Sequence, residues 1–138
     1  MTKKNPVVHF EMPYDDANRA ADFYAKAFGW DANKLGAEMG NYVVVHTTET
    51  DDKSMVQTPG HINGGLFKRT KPDQYPSVVV SVDDINAAMQ MVKDAGGKIL
   101  GGMGGPDKPD DIPGIGLYCS ILDSEGNRVG MLQPHPRA

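Results

Sequence analysis

The chain repeats itself. Asp15-Asp16 and Asp83-Asp84 stand at one offset from each other, and at that same offset Asn18 falls on Asn86, Ala20 on Ala88, Ala27 on Ala95 and Gly29 on Gly97. The closing strands match as well, Gly65-Leu66-Phe67-Lys68 against Gly130-Met131-Leu132-Gln133. A unit of this size lays one helix on one face of a small sheet and leaves the other face uncovered, so two such units have a reason to pair. The 138 residues therefore suit a single domain, 1–138, made of repeat 1 at about 6–69 and repeat 2 at about 75–133. A chain of this length buries about two-thirds of its surface on folding, enough for a core without disulfide or metal staples.

Within each half the pattern reads strand, helix, then three strands. Val7 to Met12 forms a strand closed by Pro13, and Asp15 or Asp16 caps a helix with a short carboxylate. The buried helix face is Ala17, Ala20, Ala21, Tyr24, Ala27 and Phe28, and Gly29 stops it. Asn41 to Thr48 and Ile62 to Lys68 follow as strands, the first marked by Tyr42-Val43-Val44-Val45. In the second half, Pro76 to Val82 is a strand, and Asp83 or Asp84 caps a helix with Ile85, Ala88, Met89, Val92 and Ala95 inward. Gly96-Gly97 end that helix, and Lys98 to Leu100 is a short strand. The glycine- and proline-rich stretch from Gly101 to Gly116 reads as a loop without regular structure, a flap kept solvated by Asp107, Asp110 and Asp111. Leu117 to Leu122 and Arg128 to Gln133 close the unit around a Ser124-Glu125-Gly126-Asn127 turn, and 134–138 reads as a frayed tail.

Charge and composition narrow the function. Lys and Arg total 14 against 18 Asp and Glu, a net charge of -4, which gives no basic footprint for nucleic acid. No apolar run reaches the roughly 18 residues that a membrane span requires. Residues 1–6 lack the apolar segment of a secretory leader, and the single cysteine, Cys119, fits a reducing compartment. The expectation is a soluble cytoplasmic protein without a nucleic-acid partner.

Several motifs resemble one known group. Val8-His9-Phe10-Glu11-Met12-Pro13 leads into Asp15-Asp16, Phe23-Tyr24 and Phe28-Gly29-Trp30, and Asp123-Ser124-Glu125-Gly126-Asn127 stands near the other end. Together they resemble the vicinal oxygen chelate superfamily, which holds glyoxalase I, bleomycin-resistance proteins and extradiol dioxygenases. The resemblance implies an α+β fold of two βαβββ repeats forming a curved mixed sheet around a cavity, and a homodimer. In metal-dependent members, the first and last strands of each module give one side chain apiece to a divalent ion. Those positions fall here on His9, Ser77, Gly65 and Gly130, so three of the four lack a good donor. About three protein ligands make a catalytic divalent site, so the expectation is no metal and no cofactor.

His9 and Glu11 lie two apart on one strand and share a face, an acid/base pair lining the cavity. They are the candidate catalytic residues. Tyr42 is a candidate ligand contact on the next strand, together with Met55 and Gln57 before the Pro59-Gly60 turn. Arg128, on the same face as Gly130, is a candidate for an anionic group. His46, His61 and His135 read as exposed, and Cys119 as a small buried apolar residue without an activating cation. The reading is thus a glyoxalase-like protein binding a small organic ligand without the usual divalent site. The alternative is a lyase- or isomerase-type enzyme on a small oxygenated metabolite, with His9 and Glu11 as general acid/base or in an atypical metal site. Convergence of Tyr42, Gln57 or Arg128 on that pair is the feature that favours the enzyme.

Overall fold

The structure is a computed structural model and describes residues 3–135. The tail segment Pro136-Arg137-Ala138 lies outside the described residues. The described residues form a mixed α+β fold of nine strands and two helices. The chain divides into two compact units, one spanning His9–Pro76 and the other joining the residues up to Val8 with those from Ser77 onward.

The N-terminal unit contains β1 (Val7–Tyr14) from His9 onward, α1 (Ala17–Phe28), β2 (Asp31–Lys34), a single 3-10 turn at Ala37–Met39, β3 (Val43–His46) and β4 (Asn63–Lys68). Its strands run in the order β2-β3-β4-β1, with β1 parallel to β4 and the other pairs antiparallel. Alternation along β1 sorts its side chains. Phe10, Met12 and Tyr14 join Val43, Val45 and Leu66 in a core beneath Ala17 and Ala20 of the helix, so His9 and Glu11 point to the opposite face. Asp16 is the residue that caps α1, accepting the Arg19 N–H at 3.0 Å. Gly29 closes the helix in the left-handed conformation, φ 74°, which glycine adopts without a Cβ clash. Beyond it Trp30 stacks on Tyr24 with ring centroids 4.7 Å apart and tilts against Phe10 at 5.5 Å, tying helix, turn and β1 together.

The C-terminal unit contains β5 (Ser77–Ser81), α2 (Ile85–Asp94), β6 (Lys98–Gly101), β7 (Asp110–Ile112), β8 (Gly116–Leu122) and β9 (Arg128–Pro134). Its order is β5-β9-β8-β6, with β5 parallel to β9 and β7 added on β8. Asp84 caps α2 through the Ala87 N–H at 3.1 Å. The first helical N–H, that of Ile85, finds the Gln133 side-chain oxygen at 2.9 Å. Val82, Ile85, Met89, Ile99, Cys119, Ile121 and Met131 form the core between helix and sheet. Asp123 draws the Glu125 and Asn127 N–H groups onto one carboxylate oxygen and so folds the β8–β9 turn.

The stretch from Gly101 to Gly116 departs from the expected loop. It contains β7, whose Asp110, Asp111 and Ile112 pair with Tyr118, Leu117 and Gly116. Pro113-Gly114 makes the return, with Gly114 at φ +77°. The strand forms because β8 offers a free edge there, β6 covering only the far end at Ser120 to Leu122. Asp110 serves the segment rather than solvent, accepting the N–H groups of Met103 and Gly104. No helix among the described residues is long and apolar enough to cross a membrane.

Candidate functional site

The polar face of the N-terminal unit carries three side chains in contact. Tyr42, just ahead of β3, reaches over β4 and donates its hydroxyl to Glu11 Oε2 at 3.0 Å. The same hydroxyl lies 3.1 Å from His9 Nε2. What makes room for it is Gly65: any Cβ there would overlap the tyrosine hydroxyl and ring. Register explains the meeting, since Gly65 is opposite both Glu11 on β1 and Val44 on β3. Tyr42 is two residues from Val44 and therefore on the same face.

The hydrogen-bond direction fixes the tautomer of His9. A phenol has one proton, and Tyr42 commits it to Glu11. It can then only accept from His9, so Nε2 carries a proton and, in the neutral ring, Nδ1 keeps its lone pair. Burial pushes the His9 pKa below its ordinary value of 6.5, while the Glu11 carboxylate pulls the other way and offsets part of the shift. At neutral pH the imidazole is accordingly neutral and able to take a proton. The shift has a consequence for stability. As the medium acidifies through 6.5, the unfolded chain takes up a proton before the folded one does. Stability present above 6.5 is therefore lost below it. Thermal melting across pH is expected to show this acid-side loss, and a His9→Gln variant is expected to flatten it; equal slopes would contradict the burial of His9.

Met55 and Gln57 sit in the exposed β3–β4 connection, where the Gln57 side-chain amide donates to the Met55 carbonyl at 2.8 Å. Arg128 belongs to the C-terminal unit and donates to Ser120 Oγ at 2.9 Å. His46 ends β3, His61 pairs with Thr48 at 2.8 Å, and His135 pairs with Asp111 at 2.7 Å. Cys119 is fully buried, and burial pushes its thiol up, away from the reactive thiolate. A separate groove of about 310 Å³ at the start of α1 is lined by Asp15, Asp16, Arg19, Phe23 and Arg69 among others, and Arg69 pairs there with Asp15 at 3.0 Å. His9, Glu11 and Tyr42 do not line it.

A second tyrosine does in the C-terminal unit what Tyr42 does in the first. A Cβ on Gly130 would stand 2.7 Å from the Tyr118 hydroxyl. Gly130 is opposite Val79 on β5 and Ser120 on β8, as Gly65 is opposite Glu11 and Val44. Reading the sequence missed Tyr118, Ser120 and the role of both glycines. The signal was there in the two-residue alternation of Tyr118 with Ser120, but the facing glycine is visible only through strand register.

These glycines also decide the metal question. Of the four positions that the resemblance assigns to a divalent ion, only His9 offers a good donor, and a phenol fills the space above each glycine. Among the described residues, no group of three or more His, Cys, Asp or Glu is arranged to hold an ion. The residues present do not fit such a metal.

The topology, a strand-helix-strand unit whose first strand lies parallel to its last, is that of the glyoxalase/bleomycin-resistance fold. Residues 7–48 match the family model described as bleomycin resistance protein-like N-terminal. That match covers under a third of the chain, and the likeness to solved structures is one of fold. Among solved structures, a hypothetical protein from Bacillus halodurans C-125 is similar, at 11% identity and TM-score 0.67, with 99% of each chain covered. A Streptomyces coelicolor methylmalonyl-CoA epimerase in complex with 2-nitronate-propionyl-CoA is similar at 14% identity and TM-score 0.65, covering 95% of this chain and 98% of that one. The methylmalonyl-CoA epimerase from Mycobacterium tuberculosis follows at 13% identity and TM-score 0.64, covering 99% and 94%. No curated protein sequence matches the chain.

Proposed function

We propose that the chain is a metal-independent acid–base enzyme that shifts a proton beside the carbonyl of a small oxygenated metabolite, with His9 as the base. The observation that carries this reading is the Tyr42 hydroxyl bridging His9 Nε2 and Glu11 Oε2. His9 Nδ1 takes a proton from the carbon next to the carbonyl, and the electron pair left behind moves onto the carbonyl oxygen as an enolate. The positive charge gained by the ring is felt by Glu11 through the tyrosine hydroxyl, so the carboxylate stabilises the imidazolium and holds the ring in orientation. Returning the proton to the opposite face or to a neighbouring carbon gives an isomerase-type outcome. The epimerases among the structural neighbours support this choice of chemistry.

Proton exchange tests the reading without knowledge of the natural substrate. Small 2-oxo and 2-hydroxy carbonyl compounds that raise the melting temperature are incubated with the protein in D₂O, and loss of the C–H signal is followed by proton NMR. Exchange by the wild type is expected, and it should fall by about 10²–10⁴-fold in His9→Gln and in Glu11→Gln, the range for a lost general base or its partner. A second reading, sequestration without turnover, draws on the match of residues 7–48 to a bleomycin resistance protein-like model. Binding without exchange in the wild type would establish it and remove the enzyme. Either reading carries a homodimer, which sedimentation of the purified chain addresses.

A further inference from the structure

The tyrosine that bridges His9 and Glu11 follows a residue in an unusual backbone conformation. Asn41 has φ 57°, in the left-handed region that asparagine tolerates better than most residues carrying a Cβ. It comes after Gly40, also left-handed at φ 67°, at the end of the 3-10 turn. Asn41 is exposed, so packing does not impose this conformation. The hydrogen bonds around it do. The peptide joining Asn41 to Tyr42 is tied at both ends: its carbonyl accepts the Tyr14 hydroxyl at 2.7 Å, and its N–H donates to the Met39 carbonyl at 3.3 Å. On either side, the Asn41 N–H donates to the Gly36 carbonyl at 3.2 Å, and the Tyr42 carbonyl accepts the Leu35 N–H at 2.8 Å. A disfavoured φ persists where its surroundings over-determine it, and such residues gather at functional sites.

Tyr14 is the fixed point of this arrangement. It is 6% exposed, ends β1 and lies in the core with Val43, Val45 and Leu66, on the face of β1 opposite His9 and Glu11. We propose that Tyr14 and Asn41 are positioning residues: Tyr14, through the Asn41 carbonyl, holds the Tyr42 backbone in the orientation that brings its phenol to His9 and Glu11 together. An aromatic side chain has two torsions, so a pinned Cα–Cβ direction leaves its hydroxyl little freedom. The demand on that hydroxyl is tight, since it meets His9 Nε2 at 3.1 Å and Glu11 Oε2 at 3.0 Å at once. Both residues act through Tyr42, one from the core and one from the turn. Their effect on turnover rests on the proton-transfer reading above; their effect on the cluster does not.

Histidine ¹⁵N NMR of the full-length protein reads the cluster directly, above the His9 pKa and with the His9 signals assigned by their loss in His9→Gln. A ring held in one tautomer gives two well-separated nitrogen resonances, and a ring released to exchange between tautomers draws them together. Separated signals are expected in the wild type. Tyr14→Phe keeps the buried ring and removes the hydroxyl; it is expected to draw the two signals together and to slow exchange in D₂O by about 10–10²-fold, the scale of a small misplacement. Asn41→Gly, which enters the left-handed region freely, is expected to keep the separation, and Asn41→Val, which resists that region, to lose it. A merely structural pair would lower the melting temperature and leave His9 as it was. Wild-type separation in Tyr14→Phe or in Asn41→Val therefore overturns the proposal, as does averaging in Asn41→Gly or in the wild type itself. The two readings fail apart. No exchange in the wild type, with the signals drawn together in Tyr14→Phe, removes proton transfer and keeps the positioning role; exchange in the wild type, with unmoved signals in Tyr14→Phe, does the opposite.

Discussion

Placing a methyl group on Gly65 is expected to dismantle the His9–Tyr42–Glu11 cluster while leaving the sheet folded. The added Cβ would overlap the hydroxyl and ring of Tyr42, which is the outer end of a side chain and can swing away. The backbone at Gly65 pairs normally with Glu11 and Val44, so alanine sits there without disturbing either ladder. Two hydrogen bonds of about 1 kcal/mol each are lost, and the lower entropy of an unfolded alanine returns about 0.4–1 kcal/mol. Stability should therefore fall by about 1–1.6 kcal/mol, while proton exchange falls by about 10²–10⁴-fold because His9 loses its route to Glu11. The neighbouring glycine predicts the reverse. A Cβ on Gly64 would stand 2.5 Å from three atoms of the Phe10 ring, which is itself packed against Trp30. Gly64→Ala should cost about 1–3 kcal/mol by overpacking. Exchange assays and melting curves on the two variants check the contrast. Loss of exchange in Gly65→Ala with His9 still hydrogen-bonded to Tyr42 would separate the cluster from the chemistry.

Ile85→Ala is expected to produce the largest loss of stability. Ile85 is 0% exposed, the first residue of α2, and in one cluster with Val82, Met89 and Met131. Its position is fixed from both sides, by the Asp84 cap before it and by its own N–H bond to Gln133 on β9. The helix start therefore cannot slide to close the space. Truncation at such a site leaves a cavity and costs about 2–5 kcal/mol. Melting of the wild type and the variant by calorimetry measures it, and a drop of about 10 °C is expected for a chain of this size. A loss under about 1 kcal/mol would mean that α2 repacks freely.

How much of this was readable beforehand follows the range of the forces involved. The helices were legible because their caps and periods are local: Asp16 and Asp84 each act within three residues. The alternation that put His9 and Glu11 on one face, away from Phe10 and Met12, is local too. Tyr42 joined them as the strand-face pattern allowed. The meaning of Gly65 was not legible, because a glycine at an expected ligand position reads as an absence. Only the pairing of β4 with both β1 and β3 shows that the space belongs to a phenol from another strand. The strand β7 escaped notice for a similar reason. Asp110 and Asp111 have poor strand propensity, and the vacant edge of β8 supplied the driving force.

The tyrosine lying over each glycine also shapes which descendants this chain can reach. A carboxylate or imidazole introduced at Gly65 would meet the ring of Tyr42 before it met any ion, and shrinking Tyr42 first would strand Glu11 and His9 without their bridge. On the proposed acid–base reading neither order of change keeps the cluster intact, so the effects of the two substitutions are expected to be strongly non-additive. Epistasis of this kind makes acquisition of a chelating centre a double step in the N-terminal unit. The same lock, set by Tyr118 over Gly130, is present in the other.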